Sequence, residues 1–141
     1  MSAARSERGE SLVAFALTIP ILFAFIFGLM QVCLAFYTYE WISECAREGT
    51  RYAIVHGSTC QAGTGASCTV AAPGVNTYVA GIGLPNLGGG AMTVATTYPD
   101  GDEVPPHRVK VNVTYVFPFN IPFVQSNTLS MSSTSEMSIL Q

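Results

Sequence analysis

Charge is scarce in this chain. Only 11% of its 141 residues are Asp, Glu, Lys or Arg, and the formal net charge is −3. No basic patch exists beyond Arg47 and Arg51, so nucleic acid is not an expected partner. There is no Gly-rich phosphate loop, no metal-ligand spacing and no His-containing nucleophile motif. Neither an enzyme nor a bound cofactor is expected. The two histidines, His56 at a helix end and His107 at a strand start, read most simply as solvated residues.

The scarcity is most extreme from Ser11 to Tyr39, a run of 29 residues without one charged side chain. As a helix it is roughly 43 Å long at about 1.5 Å per residue. A bilayer core is about 30 Å thick. The run is therefore long enough to span. It is too long for the apolar core of a cleaved signal peptide, about 7–15 residues. A short head with Arg5 and Arg8 precedes it, so the chain reads as a single-pass anchor with everything else on one side. Arg5, Arg8 and the terminal amine lie closer to the apolar run than Arg47 and Arg51 do. That bias places the N-terminus inside and the C-terminus outside. The remainder, roughly 100 residues, suffices for one small domain. The expected division is a leader over 1–9, a membrane helix over 10–39, its extramembrane continuation over 40–57, and an extracytoplasmic domain over 58–141.

Cys60 and Cys68 bracket a segment of small, flexible residues. Such a loop closes with little strain, and an extracytoplasmic location permits a disulfide. The alternatives are two free thiols or a metal pair. Zinc would need two further ligands, to be drawn from His56, His107 and Cys45. Cys33, in the anchor, reads as a small apolar residue, and Cys45 as a packed one.

Beyond the membrane edge the helical pattern continues. Ile42, Cys45, Ala46, Gly49 and Ala53 form one stripe. Glu44 with Arg47, and Glu48 with Arg51, are i,i+3 pairs worth a few tenths of a kcal/mol. Gly57 is the expected C-cap. Pro20 removes the hydrogen bond to the Ala16 carbonyl and is expected to kink or locally melt the helix. Thr18 stands close enough to serve that carbonyl.

After the Cys60–Cys68 loop, Val75, Tyr78, Val79 and Ile82 predict a second helix of about two turns. Then the period changes from 3.6 to 2. Met92 to Tyr98 is β-rich, and Pro99 to Asp102 is a turn cluster. In the segment Arg108 to Phe117, Val109, Val111, Val113, Tyr115 and Phe117 share one face. Pro118, Asn120 and Pro122 read as a connecting loop. Thr128 to Ile139 alternates again, with Leu129, Met131, Met137 and Ile139 against hydroxyls. The fold class is α+β: a long N-terminal membrane-spanning helix with a small antiparallel three-stranded meander packed on its extramembrane half.

Four weaker signals remain. Asp100, Asp102 and Glu103 lack the spacing of a calcium loop and read as a solvated turn. Asn112-Val113-Thr114 is a glycosylation triplet inside a strand. Ala24 and Gly28 make a small-xxx-small surface through which helices associate in lipid. Tyr98, Phe119 and Phe123 serve either as a docking patch or as core.

These parts together resemble type IV pilins and pseudopilins. More specifically, Ser11-Leu12-Val13-Ala14-Phe15-Ala16-Leu17 followed by Pro20 resembles the opening of the TadE-like family of tight-adherence pseudopilins. Ala46-Arg47-Glu48-Gly49-Thr50-Arg51-Tyr52-Ala53 resembles that family's second signature. The specific likeness spans roughly 9 to 57, and it makes the expected fold pilin-like.

The resemblance implies cutting by a membrane prepilin peptidase, with Gly9 before the cut and Glu10 as the new N-terminus. It implies a bacterial inner-membrane protein that packs among other pilins or pseudopilins and an assembly platform. Ala14, Phe15, Ala24 and Gly28 would take part in that helix packing, and Pro20 would let the helix melt. One position departs from the family. A glutamate usually stands where this chain has Ala14, and in pilins it pairs with a neighbour's N-terminal amine. Ala14 cannot pair, which points to a minor subunit acting in assembly rather than a repeating one. The competing expectations are an unprocessed membrane-anchored binding module and a secreted enzyme or adhesin.

Overall fold

The computed structural model describes residues 3–61, 63–82, 90–119 and 127–140, with side chains from Gly9 onward. Its elements in chain order are α1 (Ala3–Val55), α2 (Ala72–Gly81), β1 (Met92–Thr97), β2 (Arg108–Phe119) and β3 (Asn127–Ser138).

The first helix is a single run of 53 residues with Pro20 inside it. The polar head is helical from Ala3. Alanine, arginine and glutamate are good helix formers, and extending an existing helix avoids the cost of nucleation. The far end closes with a tightened turn, in which the His56 N–H donates to the Ala53 carbonyl at 3.2 Å. The Gly57 carbonyl accepts from the Cys60 N–H at 3.1 Å and from the Thr69 hydroxyl at 3.0 Å.

The three strands form one antiparallel sheet in the order β1-β2-β3. Both helices lie on the same face of it. The alternation of β2 selects that face: Val109, Val111, Val113, Tyr115 and Phe117 are all buried there. The expected stripe of α1 meets them, with Ile42, Cys45, Ala46, Gly49 and Ala53 buried. Opposed residues in an antiparallel pair point to one face. Val111 opposes Ser135 and Val113 opposes Ser133, so β3 turns small side chains toward α1. The helix comes close enough for the Thr50 hydroxyl, which donates to the Ala46 carbonyl at 2.7 Å, also to reach the Ser135 carbonyl at 3.4 Å. Burial raises the Cys45 thiol pKa, and Glu44 adds to the shift.

Several local expectations need correction. Pro118 lies in β2, opposite Thr128, and not in the following loop. The Val116 N–H bonds the Ala91 carbonyl on the β1 side, and Pro118 shares its parity. The pairing of β1 stops at Tyr115, so the missing N–H of Pro118 costs no ladder bond. Leu129 faces the helix side yet stays 44% exposed, because α1 has diverged from the sheet there. In α2, Val75 and Val79 are buried, while Tyr78 leaves the core to stack on Tyr52 at 4.0 Å. Asn120, Pro122 and Phe123 lie outside the described residues.

The acidic turn and both histidines remain accessible to solvent but are also tied by hydrogen bonds. His56 stacks on Tyr52, and its Nδ1 lies 2.8 Å from the Tyr52 carbonyl. Arg108 donates from Nη2 to Asp100 Oδ1 at 3.0 Å and from Nη1 to Glu136 Oε1 at 2.8 Å, and Asp102 pairs with His107. These hydrogen bonds hold the Asp100 and Asp102 carboxyls below the ordinary aspartate value of 3.8. Nearby, burial together with Glu103 pushes the Tyr98 hydroxyl up to about 12.

A carboxyl whose pKa is depressed by folding adds stability above its unfolded value, and that stability is lost as pH falls toward the folded value. The melting temperature is therefore expected to fall as pH drops below about 4, the range in which an unfolded aspartate takes up its proton. A double variant carrying Asp100→Asn and Asp102→Asn should show a shallower fall. Melting curves across that range check this, and parallel curves for the two proteins would refute it.

Candidate functional site: the anchor helix and its junction with the sheet

From Leu12 to Tyr39, α1 exposes its large apolar side chains all around: Phe15 is 63% accessible, Ile21 72% and Phe36 70%. Among the described residues this is one helix long and apolar enough to cross a membrane. A helix apolar on every side needs an apolar surrounding.

The expected site residues fall at different places on it. Gly9 and Glu10 are exposed and helical, and nothing lies within 4 Å of a Cβ built on Gly9. Ala24 and Gly28 are one turn apart on one face, and Gly28 is equally open. Phe15 lies nine residues below Ala24, about half a turn away at 100° per residue, so these four positions do not form one surface. The helix runs through Pro20 without interruption. Thr18 donates to the Phe15 carbonyl at 3.1 Å and not to that of Ala16. A helical hydroxyl reaches carbonyls three or four residues back, and Ala16 is only two residues back. Cys60 and Cys68 are joined as a disulfide with Cα atoms 5.2 Å apart. No group of three or more potential metal ligands occurs among the described residues.

The junction holds the position that sequence reasoning undervalued. Gly49 sits where α1, α2 and β2 meet, and a Cβ there would collide with the Val79 side chain and lie 3.3 Å from Val111 Cγ1. The stripe placed Gly49 inward, but only the tertiary arrangement shows that no side chain fits. On the outer side of α1 the two expected ion pairs form, with Arg47 3.4 Å from Glu44 and Arg51 3.9 Å from Glu48.

The family model described as TadE-like protein matches residues 9–51. That segment runs from the apolar opening of α1 to just past Gly49, so it covers the span and the junction together. It is the segment on which the resemblance was read from the residues, and it relates this part of the chain to Tad pilus proteins. No curated protein and no solved structure matches the chain.

Proposed function

We propose that this chain is a minor pseudopilin that takes part in assembling a tight-adherence pilus or secretion system. The observation that carries the reading is the TadE-like match over 9–51 on a helix that is continuous from the apolar span into the sheet. The protein is non-enzymatic. Prepilin peptidase cuts between Gly9 and Glu10 on the cytoplasmic side. The mature helix packs through Ala14, Phe15, Ala24 and Gly28 against other pilins or pseudopilins and the inner-membrane assembly platform, with local melting at Pro20. The domain, closed by the Cys60–Cys68 bridge, stands outside the cytoplasm. Ala14 leaves no carboxylate to meet a neighbour's amine inside the apolar layer, where a lone charge is expensive. This is why the role is a minor one.

A second reading has one specific observation in its favour. The Gly9–Glu10 bond lies within α1, so cutting requires local unwinding. An unprocessed, membrane-anchored extracytoplasmic binding module would need no such step. Intact mass of the protein recovered from host membranes separates the two. A mass starting at Glu10 is expected, lighter by two hydrogens than the reduced chain because of the bridge. A mass starting at Met1 or Ser2 would sink the pseudopilin reading and leave the binding module.

A further inference from the structure

Below Ile42 the helix and the sheet diverge gradually, with Thr38 and Ala35 the last buried residues of α1. They leave between them a groove of about 450 Å³, lined by Ala35, Phe36 and Tyr39 of α1 and by Phe119, Leu129 and Met131 of the sheet. No charged residue lines it. We propose that this groove is filled by lipid, so that the strand ends carrying Phe119 and Leu129 are seated in the membrane interface and form a second membrane contact beside the anchor. The proposal rests on reading α1 as a membrane helix.

Its position in the chain identifies the occupant. The uncharged run is roughly 43 Å long, which matches the 40–45 Å of a bilayer with its headgroup layers. The groove belongs to the last turns of that run, so it lies at the outer headgroup layer. Tyr37 and Tyr39 are 49% and 45% exposed at the same height, as expected of residues marking a membrane–water interface. Where β3 lines the groove, its side chains on this face are large and apolar. Leu129 and Met131 line the groove, whereas Ser133 and Ser135, further along β3, face the part of α1 that is packed. Side chains of this size suit acyl chains as neighbours and not water.

Tryptophan fluorescence in vesicles tests the proposal. Trp41 is the single tryptophan, so Trp41→Phe gives a silent background. In that background the full chain is reconstituted into phosphatidylcholine vesicles whose acyl chains carry bromine near the headgroup. For Leu129→Trp, and independently for Phe119→Trp, emission should fall by roughly half, as for a side chain seated about 5–10 Å into the headgroup–acyl boundary. Ser132→Trp, on the opposite sheet face, should be unaffected.

Ile26→Trp with bromine near the chain ends reports on the anchor itself. Without quenching at Ile26, the anchor reading fails and the groove proposal falls with it. Quenching at Ile26 but at neither groove position overturns the groove proposal alone. Groove positions that are unquenched, and whose emission changes with the protein-to-lipid ratio, would assign the groove to a second copy of the chain, which also overturns it.

Discussion

Replacing Gly49 with valine is expected to lower the stability of the sheet domain by about 1–3 kcal/mol, the range for forcing extra carbons into a closed core. The space is already taken. A Cβ at that position meets Val79 of α2 and Val111 of β2, and both side chains are fully buried. Neither wall can yield alone, because α1, α2 and β2 are each fixed by other contacts. Gly28→Val is the matching control. Nothing lies within 4 Å of a Cβ there, so the domain should stay within about 0.5 kcal/mol of the parent. Urea titration of the detergent-solubilised chain, followed by Trp41 emission, measures both. Equal midpoints for the two variants would show that the three elements do not converge on Gly49.

Phe117→Ala is expected to cost about 3–5 kcal/mol, the usual range for a buried phenylalanine. Phe117 is 1% exposed and is the largest fully buried side chain, with its ring edge-on to Phe119 at 5.9 Å. Val116→Ala, on the opposite face and 38% exposed, should cost well under about 1 kcal/mol. The same titration distinguishes them. A small effect at Phe117 would mean that the sheet face has been assigned the wrong way round.

The sequence carried some of this and not the rest. A strict alternation fixes which side of a strand is buried, so Val109 to Phe117 could be oriented before any coordinates. The helix stripe from Ile42 to Ala53 was legible for the same reason. Pro118 was not, because its tolerance depends on where β1 ends, and that is a property of a neighbouring strand. The ties of Asp100 to Arg108 and Asp102 to His107 were missed because alternation says nothing about which charges a turn folds back together. Tyr78 had core spacing, but an adjacent aromatic, Tyr52, offered a stacking partner at the surface. The groove was only half visible. Phe119 stood out as an apolar residue in need of a partner, but its neighbours Ala35 and Phe36 are more than eighty positions away in the chain.

The single helix has a further consequence, because no linker separates the apolar span from the packed stretch, which begins at the buried Ala35 and Thr38 and continues through Ile42. The sheet is splined to its anchor. Adding or deleting one residue between Gly28 and Ala35 would turn the sheet by about 100° relative to the rest of the span and shift it by about 1.5 Å along the axis. The number of residues in that short stretch therefore sets an angle as well as a height: it determines the compass bearing at which the hydroxyl-rich outer face of the sheet meets whatever stands beside it.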